Sequence, residues 1–302
     1  MHPNPVLSRL GFAQDDRVAI IHVDDVGMCQ ASMAAFAELW QFGLITSGAV
    51  MMPCPWSLEA ARFARAHPDA DLGIHLTLTS EWETYRWGPV STRSLDTGLL
   101  DEQRCFHRRS ASVQAQADPE AVQIELAAQV DLARANGIQP THADTHMGTV
   151  AHPKFIHAYL QTALQNGLPP MIPRLDESGW RRMGMGLDEE AIVQILEVLN
   201  SLEDMGVPLL DQIHGMPLDS DPALRFEHTK AAFDSLPPGI THFIIHAAQD
   251  TPELRAITPD WACRTADHQT FLREDLRAYL RQQGIHTIGY RTLQALMPIT
   301  EL

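Results

Sequence analysis

Two adjacent aspartates, Asp24 and Asp25, close the apolar run Val18-Ala19-Ile20-Ile21 in the stretch RVAIIHVDDVG. A buried strand tolerates such charge only when it is paired, hydrogen-bonded or bound to metal. The pair could cap a helix beginning near Gln30, or it could form a site, since α/β folds place chemistry at the carboxyl ends of parallel strands. Three later apolar runs end in residues of the same kind: His75 in LGIHLTLT, then His142, Asp144 and His146 in THADTHMG, then His246 in THFIIHAAQD. Singly, each histidine reads more readily as a satisfied core residue than as a ligand. In a parallel barrel, however, all carboxyl ends meet at one mouth. A mixed aspartate and histidine set there suits a divalent metal such as zinc, manganese or iron, with positions left for water and substrate. Spacing does not choose among His142, Asp144 and His146, which share one face of a regular strand. Asp24 and Asp25 point to opposite faces of an ideal strand, and Gly27 permits a sharp turn that presents both. Two close carboxylates repel, and a cation holding one would leave the other as a base.

The elements that must position these residues alternate along the chain. Strands are expected near Val18–Val23, Thr46–Met51, Leu72–Leu76, Thr141–Asp144, Met171–Leu175, Leu209–Ile213, Thr241–His246 and Thr287–Gly289, with helices near 30–42, 57–66, 119–136, 154–166, 188–204, 222–235 and 264–283. The helix from Pro119 is punctuated by Asp118-Pro119 at its start and Asn136-Gly137 at its end. Repeated βα units imply a parallel sheet. With no Pro/Gly/Ser linker, a one-domain irregular (β/α) barrel of about seven strands over residues 1–302 is the expected fold, and an open doubly wound sheet is the alternative. Residues 79–117 hold no clean helix or strand and read as a long loop over the mouth. Trp82 and Trp87 within it could stack on sugar rings or simply pack the loop down.

The chain has 302 residues, 45% hydrophobic and 20% charged, ordinary for a globular protein. A net charge of -16 argues against nucleic acid or an anionic membrane surface as partner. The four cysteines form no C-x-x-C pair and suggest neither a disulfide framework nor a cysteine zinc site. Prolines interrupt the first residues where a signal peptide would be apolar, and no run reaches the roughly 18 apolar residues of a membrane span, so a cytoplasmic location is expected.

Taken in order, HVDDVG, GLITSGAVM, DLGIHLTLT, THADTHMG with His152-Pro153, the late strand ending in His246, and GIHTIGYRTL resemble the YdjC family of carbohydrate deacetylases, which includes chitooligosaccharide and hopanoid-biosynthesis deacetylases. The resemblance runs from about residue 18 to 294 and implies a barrel of the polysaccharide-deacetylase type. By position in the family's motifs it implies that Asp25, His75 and His146 bind one divalent metal (zinc or magnesium, with manganese, iron or cobalt also compatible). It likewise implies that Asp24 is the catalytic base and His246 the general acid. Val26 stands where the family usually has phenylalanine, and Ala247 where proline usually follows the histidine. Gly148 replaces the last histidine of H-x-D-S-H-x-H, a role that is lost here or supplied by a residue such as His152. Arg174, and the pair Arg264 and Asp267, are candidates to orient Asp24 or support the ligands, or are ordinary surface charges. The expected activity is removal of an N-acetyl group from a sugar or oligosaccharide. Another ester or phosphoester hydrolase on the same barrel, or a non-catalytic sugar-binding protein, are the alternatives. Exposed barrel helices leave room for a homodimer.

Overall fold

A computed structural model describes residues 4–182 and 188–298 of the chain. Its seven parallel strands are β1 (Arg17–Val26), β2 (Ser47–Val50), β3 (Leu72–Leu76), β4 (Ala143–Thr145), β5 (Gln212–Gly215), β6 (Gly239–Ile245) and β7 (Ile285–Thr287). They run in the order β4-β3-β2-β1-β6-β5. One edge of β1 pairs with β6 from Arg17 to Val23, while its other edge is shared, β7 taking Arg17 to Ala19 and β2 taking the stretch from His22 upward.

Among the described residues the sheet closes without a regular eighth strand. Segment 171–175 reads as one in the sequence, but Pro169, Pro170 and Pro173 lack the N–H donors a ladder needs. Isolated bridges serve instead: Met171 N donates to Ala143 O (3.1 Å), Leu210 N to Ile172 O (3.1 Å) and Asp211 N to Ile240 O (2.9 Å). The sheet thereby curls from β4 through 170–174 and 209–215 back to β6, an irregular (β/α) barrel. The last strand lies two residues earlier than expected. Helix 264–283 is two helices, Trp261–Phe271 and Glu274–Gln282, and a helix at Ser110–Gln116 interrupts the long loop. The helix at Pro119–Ala135 is capped as expected, Glu120 N donating to the Asp118 carboxylate. No helix among the described residues is long and apolar enough to cross a membrane.

Alternation along the strands grades the barrel interior from dry to charged. On β1 the residues Ala19, Ile21 and Val23 face outward into the main core beneath the helices. Val18, Ile20, His22 and Asp24 share the opposite face. Val18 and Ile20 pack with Ile240, Leu210, Tyr290 and the Val6 and Leu7 of an N-terminal helix (Pro5–Arg9), which plugs the amino-terminal end. Above this plug lie His22, His142 and His242, all fully buried. Gly73 on β3 makes room for them, because a Cβ there would come within 2.4 Å of the His142 ring. Above the imidazoles, at the carboxyl ends of the strands, the carboxylates converge.

Candidate metal centre

β1 continues past Val23, and both aspartates belong to it. Its register against β2 shifts between Val23 and Val26, and Asp25 takes φ 60°, a left-handed conformation uncommon outside glycine. Such a bulge re-aims side chains at a strand end, here at a cost of roughly 1–3 kcal/mol that the surroundings must outweigh. Asp24 and Asp25 thus both reach the mouth, although an ideal strand would separate them. Gly27 follows at φ 78°, with the backbone of Ser57 only 3.2 Å from where a Cβ would stand.

Asp25 is the centre of a trio. Its Oδ1 lies 3.5 Å from His75 Nε2 and 3.3 Å from His146 Nδ1. All three side chains are buried, and Asp25 Oδ1 and His75 Nε2 have no hydrogen-bond partner. Unsatisfied buried atoms of this kind are costly unless something binds them. Bonds of about 2.1 Å to a tetrahedral ion put neighbouring ligand atoms about 3.4 Å apart, close to the separations found here. The trio can therefore hold a cation. The other ring nitrogens are already engaged: His75 Nδ1 meets Asp144 Oδ1 at 2.8 Å, and His146 Nε2 meets Glu81 Oε2 at 3.1 Å. Each carboxylate fixes the tautomer that leaves the inward nitrogen bare. Arg264 Nη1 donates to Asp25 Oδ2 at 2.6 Å, and its Nε donates to Asp260.

The electrostatics fit an appetite for positive charge. Burial opposes protonating the His75 ring, but Asp144 and Asp24 outweigh it and raise the affinity well above normal. Burial likewise opposes protonation of His146, yet Glu81 and Asp25 bring its pKa up to about 9. For Asp25, burial works against ionisation, while Arg264, His146 and His75 hold the carboxyl well below the ordinary range. A divalent ion would satisfy the same demand that protons satisfy in its place.

Asp24 lies beside the trio. His22 Nδ1 holds its Oδ1 at 2.8 Å, while Oδ2 sits 3.7 Å from His75 Nε2 and 3.7 Å from His246 Nε2. Although burial disfavours its charge, His75, His22 and His246 keep this carboxyl strongly acidic. Burial depresses the proton affinity of His246, whose side chain is 21% exposed. The amide of His246 donates to Asp267 Oδ2 (3.1 Å), and Asp267 is gripped by both Nε and Nη2 of Arg225 at 2.6 and 2.7 Å. Arg225 and Asp267 are almost wholly buried, so truncating one strands the other's charge. Arg225→Met is expected to cost roughly 3–5 kcal/mol of stability, readable by urea unfolding, with the midpoint falling well below that of the unaltered chain.

These side chains line a cleft of ≈ 220 Å³ whose walls include Asp24, Asp25, His75, His146, His246, Arg264, Asp260 and Glu81, with Trp82, Met147 and Leu218 as its apolar surface. Several expectations change here. Trp87 is buried, donates to Thr79 O at 2.8 Å and packs the loop rather than facing the cleft. Arg174 pairs with Glu203 and Asp211, away from the mouth, because Pro173 joins its segment to Leu210 rather than to the site. His142 and Asp144 share a face with His146, as spacing implies, but at successive depths: His142 meets His22 below, and Asp144 supports His75. Arg264 braces Asp25 rather than Asp24. At Gly148 (φ 66°) the space beyond Cα is open, and His152 does not line the cleft. Glu81, Asp260, Arg225 and His22 are further residues of the site's surroundings that the sequence reading misses: Glu81 touches His146, Asp260 pairs with Arg264, Arg225 grips Asp267 and His22 touches Asp24. The i, i+4 spacing of Asp260 and Arg264 and the i, i+2 spacing of His22 and Asp24 were available signals, whereas Glu81 and Arg225 had none.

The chain matches the model of the YdjC-like protein family over residues 18–282. It is 33% identical over 289 residues to a carbohydrate deacetylase of Thermus thermophilus, covering 96% of this chain and 98% of the relative. A carbohydrate deacetylase of Thermoanaerobacter pseudethanolicus is 24% identical over 275 residues, 91% of this chain and 98% of the relative. The solved structure of a candidate cellobiose-phosphate cleavage protein from Enterococcus faecalis shares the fold, with a TM-score of 0.72 and 21% identity over 92% of this chain and 99% of that one. With the family's pattern spanning β1 to β6 and a relative matched over nearly the whole of both chains, the chain belongs to the YdjC-like protein family.

Proposed function

We propose that the chain is a metal-dependent carbohydrate deacetylase that hydrolyses an N-acetylated sugar or oligosaccharide to the free amine and acetate. The observation that carries this reading is the bare Asp25, His75 and His146 trio set beside a second carboxylate and a histidine in one cleft. The names of the full-length relatives support the substrate class.

Asp25, His75 and His146 would hold the ion, zinc or magnesium being the leading candidates. A divalent ion bound there supplies Lewis acidity for the acyl carbonyl and lowers the pKa of water. Asp24 Oδ2, open to the cleft, takes the proton of the attacking water. An amine anion is too poor a leaving group to depart unprotonated, so His246 Nε2 delivers a proton to the nitrogen as the C–N bond breaks. Burial lowers the proton affinity of His246, and Asp24 Oδ2, 3.7 Å from its Nε2, is the neighbouring group that passes on the proton taken from water. Trp82 offers its ring to an apolar sugar face, and the Arg264 guanidinium lies 5.7 Å from that ring.

Acetate release from N-acetylated mono- and oligosaccharides, with no phosphate release from phosphoesters, tests the activity. Sugar binding without acetate release would reject it in favour of a binding protein. The acid role makes a sharper prediction. His246→Ala is expected to lose on the order of 10²- to 10⁴-fold in kcat toward an N-acetyl sugar, yet little toward an aryl acetate, whose phenolate leaves without protonation. Equal losses on both substrates would remove His246 from that role.

A further inference from the structure

The imidazole layer lies beneath the cleft and outside the Asp25, His75 and His146 trio, yet one of its members touches the proposed base. We propose that His22 is the positioning residue for Asp24, fixing which carboxylate oxygen faces the substrate; this rests on the reading of Asp24 as the base.

A carboxylate can only accept, so the 2.8 Å contact between Asp24 Oδ1 and His22 Nδ1 requires the proton on Nδ1. With Oδ1 engaged below, Oδ2 is turned up into the cleft between His75 and His246. Carboxylate torsions are soft, and without this bond Asp24 could turn either oxygen upward or swing toward its histidine neighbours. His22 is itself held. Its Nε2 lies 2.9 Å from His142 Nε2, so one proton is shared between them. His142 Nδ1 lies 3.0 Å from Thr141 Oγ1, which donates to Asp71 at the amino-terminal end of β3. Asp71 is anchored in turn by the Arg291 amide at 2.7 Å. Every side chain in this chain of bonds is at least nine-tenths buried. Two further features keep His142 in place: its ring lies flat on Tyr290 (centroids 3.8 Å apart, planes at 13°), and Gly73 leaves it room. The line from Asp71 to Asp24 thus spans the barrel from closed end to mouth and ends on the oxygen that faces away from substrate.

The test compares His22→Leu and His22→Asn in the metal-loaded protein, assaying acetate release from an N-acetylated sugar. His22→Leu is expected to lower kcat about 10- to 100-fold with KM and bound metal unchanged. His22→Asn, whose amide nitrogen can donate from nearly the place of Nδ1, is expected to restore most of the rate. A merely structural role would lower melting temperature in both variants without separating kcat from KM. Wild-type kcat in His22→Leu, or equal losses in the two variants, overturns the proposal. If His22→Leu does not fold, nitrogen NMR of the unaltered protein decides: a protonated, hydrogen-bonded His22 Nδ1 supports it and a bare Nδ1 overturns it. Asp24→Asn run in parallel separates the two layers. Its inactivity beside a fully active His22→Leu rejects the positioning role alone, whereas an active Asp24→Asn rejects the base and this role with it.

Discussion

Asp24→Asn is expected to bind metal like the unaltered protein while losing on the order of 10²- to 10⁴-fold in kcat. The expectation follows from geometry. Asp24 lies next to the bare trio without sharing its central oxygen, and Asp25 Oδ1 is the atom that faces both His75 and His146. Asparagine keeps the size of the side chain, and its oxygen can still accept from His22, so the fold and the trio should survive. It cannot take a proton from water. Metal content by elemental analysis and acetate release on the same sample are the two readings. Loss of metal together with rate would make Asp24 a ligand, and full activity would remove it as the base.

His146→Ala is expected to fail in both readings. His146 supplies one of three inward atoms and is pinned by Glu81, so its removal takes a ligand and leaves Asp25 Oδ1 facing His75 alone. Loss of an outer partner commonly costs 10- to 100-fold in metal affinity or activity, and loss of a direct ligand should exceed that. Turnover at added metal should fall below the level of Asp24→Asn. Glu81→Gln, by contrast, keeps the ligand, and its expected effect is the smaller one of a supporting group. A His146→Ala variant that kept a full equivalent of tightly bound metal would place the ion elsewhere in the barrel.

Much of this site is legible in the chain itself, because strand ends in a parallel barrel share one mouth and their residue types accumulate there. The limit is depth. Period-two alternation puts His142, Asp144 and His146 on one face but does not say which of the three reaches the cleft, and packing against His22 below and His75 beside decides it. The bulge at Asp25 is likewise a tertiary device, visible in the register shift against β2 and in the left-handed backbone of Asp25. Loop residues are least legible. Trp82 and Trp87 look alike in sequence, yet one walls the cleft and the other is sealed beneath it. Glu81 braces His146 from a segment with no periodicity to read. Proline misleads in the opposite direction: the apolar run at 171–175 reads as a strand, but its prolines reduce it to isolated bridges and carry Arg174 away from the site.

Beyond single residues, the proposed chemistry depends on a divalent ion in the trio and on a carbohydrate amide as substrate. Both enter one measurement: acetate released from an N-acetylated oligosaccharide by chelator-treated protein as zinc or magnesium is added back. Release is predicted to be abolished by the chelator and to return in proportion to metal, saturating at one equivalent per chain. Undiminished release from fully metal-free protein would contradict the metal-dependent mechanism at its centre.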